Sequence, residues 1–196
     1  MEDVAREEGI SPGLAGGERE LVARARAHEE AAFESLFRRY RDKIYRVVYG
    51  WCLDSEVAMD LTQDVFLKAF RSIGSFKEES SFYTWLCRIA INRCMDYCRQ
   101  KRKHREIFLE EVAAEESAQR EEEIPPSAVQ VEELKRDLRN AIDQLSEEAR
   151  AAFTLRFFEG LSYKEIADAL ECSIGTVMSR IFYARQRLRE LLKGHL

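Results

Sequence analysis

The residues from Ile174 to Lys193 carry the densest usable chemistry in this chain. Arg180, Arg185, Arg187, Arg189 and Lys193 set five cations against one acid, Glu190, a local charge of +4. Guanidinium groups pair with phosphates and with the acceptor edge of guanine. Thr176, Met178, Ser179, Phe182, Tyr183 and Gln186 accompany them. On a helical wheel Met178, Ser179, Phe182, Tyr183 and Gln186 fall on one side, while Val177, Ile181, Ala184, Leu188 and Leu191 repeat on the other. A helix that buries one stripe and shows polar and aromatic groups edged with arginine suits the major groove of DNA. A helical hairpin with a merely solvated charged face is the alternative.

A second row lies upstream. Trp85, Arg88, Asn92, Asp96 and Arg99 are spaced 3, 4, 4 and 3 apart, which puts them in one helical stripe. Stacking together with phosphate neutralisation is what a single nucleic-acid strand requires, and amides and carboxylates read base edges. Phe82 and Tyr83 stand just before the row. Arg99, Lys101, Arg102, Lys103 and Arg105 extend it as a basic run without an acid. Phe82, which shares a face with Leu86 and Ile89, reads more readily as core; Tyr83 and Trp85 are open to the same reading, though Trp85 sits on the polar side.

Cys87, Ile91, Cys94 and Cys98 form another stripe of the same stretch. Without CxxC spacing or a Cys/His cluster they read as small buried hydrophobes rather than metal ligands, and Cys172 reads as a packing residue. No nucleophile–base pair, phosphate loop or metal motif is present, so the expectation is a non-enzymatic protein with no cofactor and no metal.

These rows need elements to hold them, and the pattern predicts an all-α chain. Ser162 and Glu165 form a capping box for a short helix. Glu171-Cys172-Ser173 makes a turn, with Ser173 capping the next helix. Further helices are expected over Glu18 to Arg26, Glu29 to Cys52, from Asp54 or Ser55 to Ile73, and from Ser80 or Ser81 to about Arg102. In the C-terminal part, Leu134, Leu138, Ile142 and Leu145 mark one helix, and Ala149 to Phe158 another. The segment Glu106 to Glu123 sets eight glutamates against Arg120, and Pro125-Pro126 follows. The expected organisation is a disordered tail (1–17), a four-helix domain (18–105), an acidic flexible linker (106–130) and a helix-turn-helix domain (131–196). The overall charge of −5 conceals two basic surfaces with an acidic stretch between them. No apolar run approaches the ~20 residues of a membrane span. The acidic N-terminus is unlike a secretory signal, and five cysteines at irregular spacing suit a reducing cytoplasm.

Taken together, these motifs resemble the extracytoplasmic-function group of bacterial sigma factors, the smallest class of the sigma-70 family. Asp60-Leu61-Thr62-Gln63-Asp64-Val65-Phe66 resembles region 2.2 of the family. Ser81-Phe82-Tyr83-Thr84-Trp85-Leu86 with Arg88-Ile89-Ala90-Ile91-Asn92 resembles regions 2.3 and 2.4. Leu161-Ser162-Tyr163-Lys164-Glu165-Ile166-Ala167 with Gly175-Thr176-Val177 resembles region 4.2. The resemblance implies that Asp60, Gln63, Asp64 and Lys68 dock on the clamp coiled coil of the polymerase β′ subunit, although the residues alone read as a solvated face. It implies that Phe82, Tyr83, Trp85, Arg88, Asn92, Asp96 and Arg99 open and hold the −10 element, and that Thr176, Met178, Ser179, Arg180, Phe182, Tyr183, Arg185 and Arg187 read the −35 element. An anti-sigma protein is implied as a further partner, with no direct membrane insertion of this chain.

Two positions depart from the family. Met178 and Tyr183 stand where basic residues are frequent, and Met178 cannot make a bidentate guanine contact. The expected −35 preference therefore leans on Ser179, Phe182 and apolar contact with thymine methyls, with Arg180, Arg185 and Arg187 on phosphates. Free protein is expected to bind promoters weakly, because flexibly linked lobes must be ordered. A stand-alone helix-turn-helix repressor or activator and an all-helical adaptor are the competing readings.

Overall fold

A computed structural model describes residues 12–111 and 136–193. Most of the expected tail and linker, and Leu134, lie outside these residues. Among the described residues there is no strand.

Helix α1 spans Pro12–Arg26 and so begins six residues before the expected start at Glu18. Gly13, Gly16 and Gly17 argue against a helix there, but Pro12 occupies the first helical position, where its fixed φ favours initiation. Helix α2, Glu30–Cys52, buries Leu36, Tyr40, Ile44, Val47, Val48 and Trp51. It ends at Leu53, which adopts a left-handed conformation. Asp54 then caps α3, Ser55–Ser72, by accepting hydrogen bonds from the backbone N–H groups of Glu56 and Val57 at 3.1 and 3.2 Å. A 3₁₀ turn, Ile73–Ser75, follows.

Helix α4 covers Phe82–Glu111, longer than the expected end near Arg102, and carries helix into the start of the acidic stretch. Ser81 Oγ accepts the Thr84 N–H at its start, at 3.0 Å. Helix α2 packs against α1, α3 and α4, and α3 also packs on α4, which encloses the first core.

The C-terminal lobe comprises α5 (136–143), α6 (Glu147–Phe157), α7 (Tyr163–Leu170) and α8 (Ile174–Leu191). Ser146 caps α6 through the Ala149 N–H. Gly160, at φ 68°, turns the chain towards α7, a conformation that costs glycine little. Ala141, Ile142, Leu145, Ala149, Ala184 and Leu188 form a small core where α5, α6 and α8 meet. The lobes are not held apart. Ala151, Ala152, Leu155, Leu161, Ile166, Val177 and Ile181 of the C-terminal lobe belong to the same apolar cluster as Trp51, Leu86 and Ile91.

Candidate nucleic-acid interface

The turn between α7 and α8 is fixed by local hydrogen bonds. The Ser162 hydroxyl accepts the Glu165 N–H, and the Glu165 carboxylate returns to the Ser162 N–H at 2.8 Å, completing the expected capping box. Glu171 ends α7 in the left-handed region at φ 51°, and the Cys172 N–H reaches back to the Ala167 carbonyl. Ser173 Oγ accepts the Thr176 N–H at 3.1 Å and starts α8. Three consecutive local devices therefore set the angle between the two helices.

Helix α8 buries Val177, Ile181, Ala184 and Leu188. On the far side Met178 is 53% exposed, Phe182 70% and Tyr183 52%. Such large apolar groups in water, next to exposed Ser179, Arg185 and Gln186, form a contact surface rather than a packing face. The remaining candidates sit off this surface. Thr176 shares a hydrogen bond with the Ser173 hydroxyl. Arg180 reaches the Cys172 sulfur, and Arg187 is held by Gln144 and Glu190.

The α4 row divides in two. Phe82, in the expected strand-binding set, takes the core position that its face also allowed. It is 2% exposed and packs between Tyr40, Phe76 and Trp85, because the chain enters α4 with that ring turned inward. Trp85 is half-buried against Phe76 and Phe82. Tyr83 stacks on Tyr40 and donates its hydroxyl to Glu159 at 2.5 Å. Burial raises the Tyr83 phenol far above its ordinary range. Arg88, Asn92, Asp96 and Arg99 make up the polar part. Asn92 is exposed, and Arg99 pairs with Asp96 at 3.3 Å.

On α3, Asp60, Gln63 and Lys68 are exposed. Asp64 instead accepts two hydrogen bonds from Arg93, at 2.9 and 2.7 Å, and ties α3 to α4. Sequence reasoning missed Met59 and Leu67, 54% and 55% exposed, which flank Gln63 at helical spacing. Apolar at only two of the three positions of their i, i+4, i+8 stripe, they give no periodic signal in the sequence. Cys87 and Cys94 are fully buried, as expected, and Cys98 accepts the Trp51 indole N–H at 3.3 Å. No cluster of three metal-ligating side chains occurs among the described residues. None of their helices is long and apolar enough to cross a membrane.

A helix-turn-helix with an exposed outer face, joined to a four-helix lobe bearing a polar and basic row, defines a two-lobed nucleic-acid-binding protein. Family models described as "Sigma-70 region 2" and "Sigma-70, region 4" match residues 36–104 and 135–188. The RNA polymerase sigma-H factor of Pseudomonas aeruginosa is 36% identical over 181 residues, covering 90% of this chain and 94% of that protein. The ECF RNA polymerase sigma-E factor of Escherichia coli (strain K12) is 38% identical over 173 residues, with coverages of 86% and 90%. Among solved structures, the sigma factor RpoE in complex with the anti-sigma factor NepR from Bartonella quintana matches with a TM-score of 0.58 and 29% identity, over 82% of this chain and 96% of that one. CnrH, in complex with the cytosolic domain of CnrY, shares the fold at a TM-score of 0.67 and 24% identity, with coverages of 91% and 98%.

The chain belongs to the extracytoplasmic-function group of the sigma-70 family. It is a sigma factor that directs promoter-specific transcription initiation, and core RNA polymerase and promoter DNA are its partners. Its relatives are transcription regulators.

Proposed function

We propose a division of labour for the individual residues. The outer face of α8 reads the −35 element as duplex, with Met178, Phe182 and Tyr183 in the groove beside Ser179, and Arg185 on a phosphate. Arg180 and Arg187, already held within the lobe, act at the edges. The observation that carries this reading is the exposure of three large side chains directly opposite a fully buried stripe. Helix α4 holds the non-template strand of the −10 element through Arg88, Asn92, Asp96 and Arg99, with Tyr83 and Trp85 as the aromatic wall. Asp60, Gln63 and Lys68, with Met59 and Leu67 beside them, dock on the β′ clamp coiled coil, and Asp64 positions that face through Arg93. The protein has no catalytic chemistry of its own and works in the cytoplasm. The complex of RpoE with the anti-sigma factor NepR supports control of this chain by an anti-sigma protein.

Run-off transcription with reconstituted core enzyme on a randomised promoter library tests the assignment. Met178→Ala should relax preference at one −35 base pair by about 1 kcal/mol, roughly fivefold, without loss of core binding. Asn92→Ala should slow promoter opening while leaving −35 selectivity intact. Unchanged selectivity across the library for Met178→Ala would remove that residue from the reading face.

A further inference from the structure

We propose that Gly175 is a positioning residue of promoter recognition: having no side chain, it lets the first turns of α8 settle against the base edges, where Ser179 and Phe182 meet an A·T pair. This rests on reading the outer face of α8 as the −35 interface.

Gly175, Ser179 and Phe182 are spaced 4 and 3 apart, which puts them in one helical row. The row lies opposite the buried stripe of Val177, Ile181, Ala184 and Leu188, and all three of its residues are exposed. Glycine is a poorer helix former than alanine, so its place inside α8 needs a reason. The described residues supply none from within the fold. Gly175 does not adopt a positive φ, whereas Gly160 does. A Cβ at position 175 would meet only the Ser173 hydroxyl oxygen within 4 Å, at 3.8 Å, which is ordinary contact. Gly50 is the contrast, since a Cβ there would strike the Phe158 ring. The demand for a bare backbone at position 175 therefore comes from outside, from a surface that α8 approaches closely.

The next turn says what that surface carries. The Ser179 hydroxyl donates to the Gly175 carbonyl at 3.0 Å, so its one hydrogen is occupied and only its lone pairs are free. In the major groove such an acceptor suits the amino group of adenine or cytosine and not the N7 and O6 acceptors of guanine. Phe182, 70% exposed, presents a ring without a polar atom, and the apolar group of the groove is the thymine methyl. An A·T pair offers the amino group and the methyl together; a G·C pair offers the amino group alone. The arginines nearest the row are engaged elsewhere. Arg180 donates to the Cys172 sulfur at 3.5 Å, and Arg187 is held by Gln144 and Glu190. Arg185 is exposed but stands about three turns beyond Gly175, away from the N-terminal residues with which a recognition helix reads bases.

Gly175→Ala is the primary probe, and two readouts separate fold from function. Urea denaturation of the full chain should give a midpoint no lower than wild type, because nothing inside the protein resists the added methyl. Transcription with core enzyme from a strong promoter of the randomised library should fall about tenfold. On the same promoter with its −35 sequence scrambled, the two proteins should be equal. Base analogues then test the pair itself in holoenzyme binding. 2-Aminopurine in place of adenine removes the major-groove amino group, and deoxyuridine in place of thymine removes the methyl, while each still pairs. At one −35 position each analogue should weaken wild-type binding about threefold. 2-Aminopurine should add no loss in Ser179→Ala, and deoxyuridine none in Phe182→Ala.

A lowered urea midpoint for Gly175→Ala would assign the glycine to the fold and overturn the proposal. Wild-type transcription by a stable Gly175→Ala, beside altered −35 selectivity in Met178→Ala, would overturn the positioning role and leave α8 as the reading helix. Analogue losses that persist undiminished in Ser179→Ala and Phe182→Ala would overturn the A·T pairing. Unchanged −35 selectivity in Gly175→Ala, Met178→Ala, Ser179→Ala and Phe182→Ala alike would overturn the underlying assignment of α8 to the −35 element, and the proposal with it.

Discussion

Arg88 and Arg93 lie on the same helix yet serve different ends. Arg93 is fixed to Asp64 inside the N-terminal lobe, whereas Arg88 is offered outward and caught by the opposite lobe. The sequence distinguishes them by phase, since only Arg88 shares the stripe of Asn92 and Asp96. Phe82 obeys the same phasing: it shares a face with Leu86 and Ile89, and all three are buried. Tyr40, Phe76 and Trp85 surround its ring. The cysteines give a residue-scale prediction. Burial pushes the Cys87 and Cys94 thiols well above their ordinary value of 9.0, so they remain neutral and shielded. A thiol reagent such as 5,5′-dithiobis(2-nitrobenzoate) should label at most Cys52, Cys98 and Cys172 in the native protein, and all five sites after denaturation. The folded state holds these two protons more tightly than the unfolded state. Their stabilisation is therefore complete below the ordinary thiol pKa and declines as pH rises above it. Fast native labelling at Cys94, mapped by mass spectrometry, would contradict this placement.

At the scale of elements, caps were the most legible feature. Ser162, Glu165 and Ser173 are local signals, and each makes the bond its type and position require. Ser162→Ala should cost about 1 kcal/mol, since the Glu165 N–H loses its acceptor and the reciprocal arm is weakened. Urea denaturation should show a lower midpoint at unchanged slope, and −35 binding should weaken through the loosened turn. A midpoint equal to wild type would mean that tertiary packing alone holds α7. Helix ends without caps were harder to place. Three glycines obscured the start of α1 behind Pro12, and the basic run after Arg99 gave no stop signal, so α4 extends to Glu111. The exposed Met59 and Leu67 were illegible for a different reason: single apolar residues among the charged side chains of α3 carry no periodic signal of their own.

At the scale of the whole molecule, two domains were legible and their contact was not. Gly50 and Phe158 meet from distant parts of the chain, and neither residue has a pattern around it that announces the other. The same holds for Arg150. In sequence it is one more cation on α6; in the fold it closes the carbonyl end of α2, where the helix dipole favours positive charge. This seam makes the apolar core continuous across both lobes, and continuity has a thermodynamic signature. If the lobes unfold as one unit, calorimetry of the wild type should show a single transition whose van't Hoff and calorimetric enthalpies agree. Arg150→Ala leaves the Trp51 carbonyl buried without its donors and removes the cation from the Trp51 ring, a loss of about 2 to 4 kcal/mol concentrated at the seam rather than within either lobe. Two transitions should then separate, the lower from the C-terminal lobe, the smaller of the two. Two transitions already present in the wild type would mean that each lobe melts alone, and the contacts across α2 would then contribute little to the stability of either.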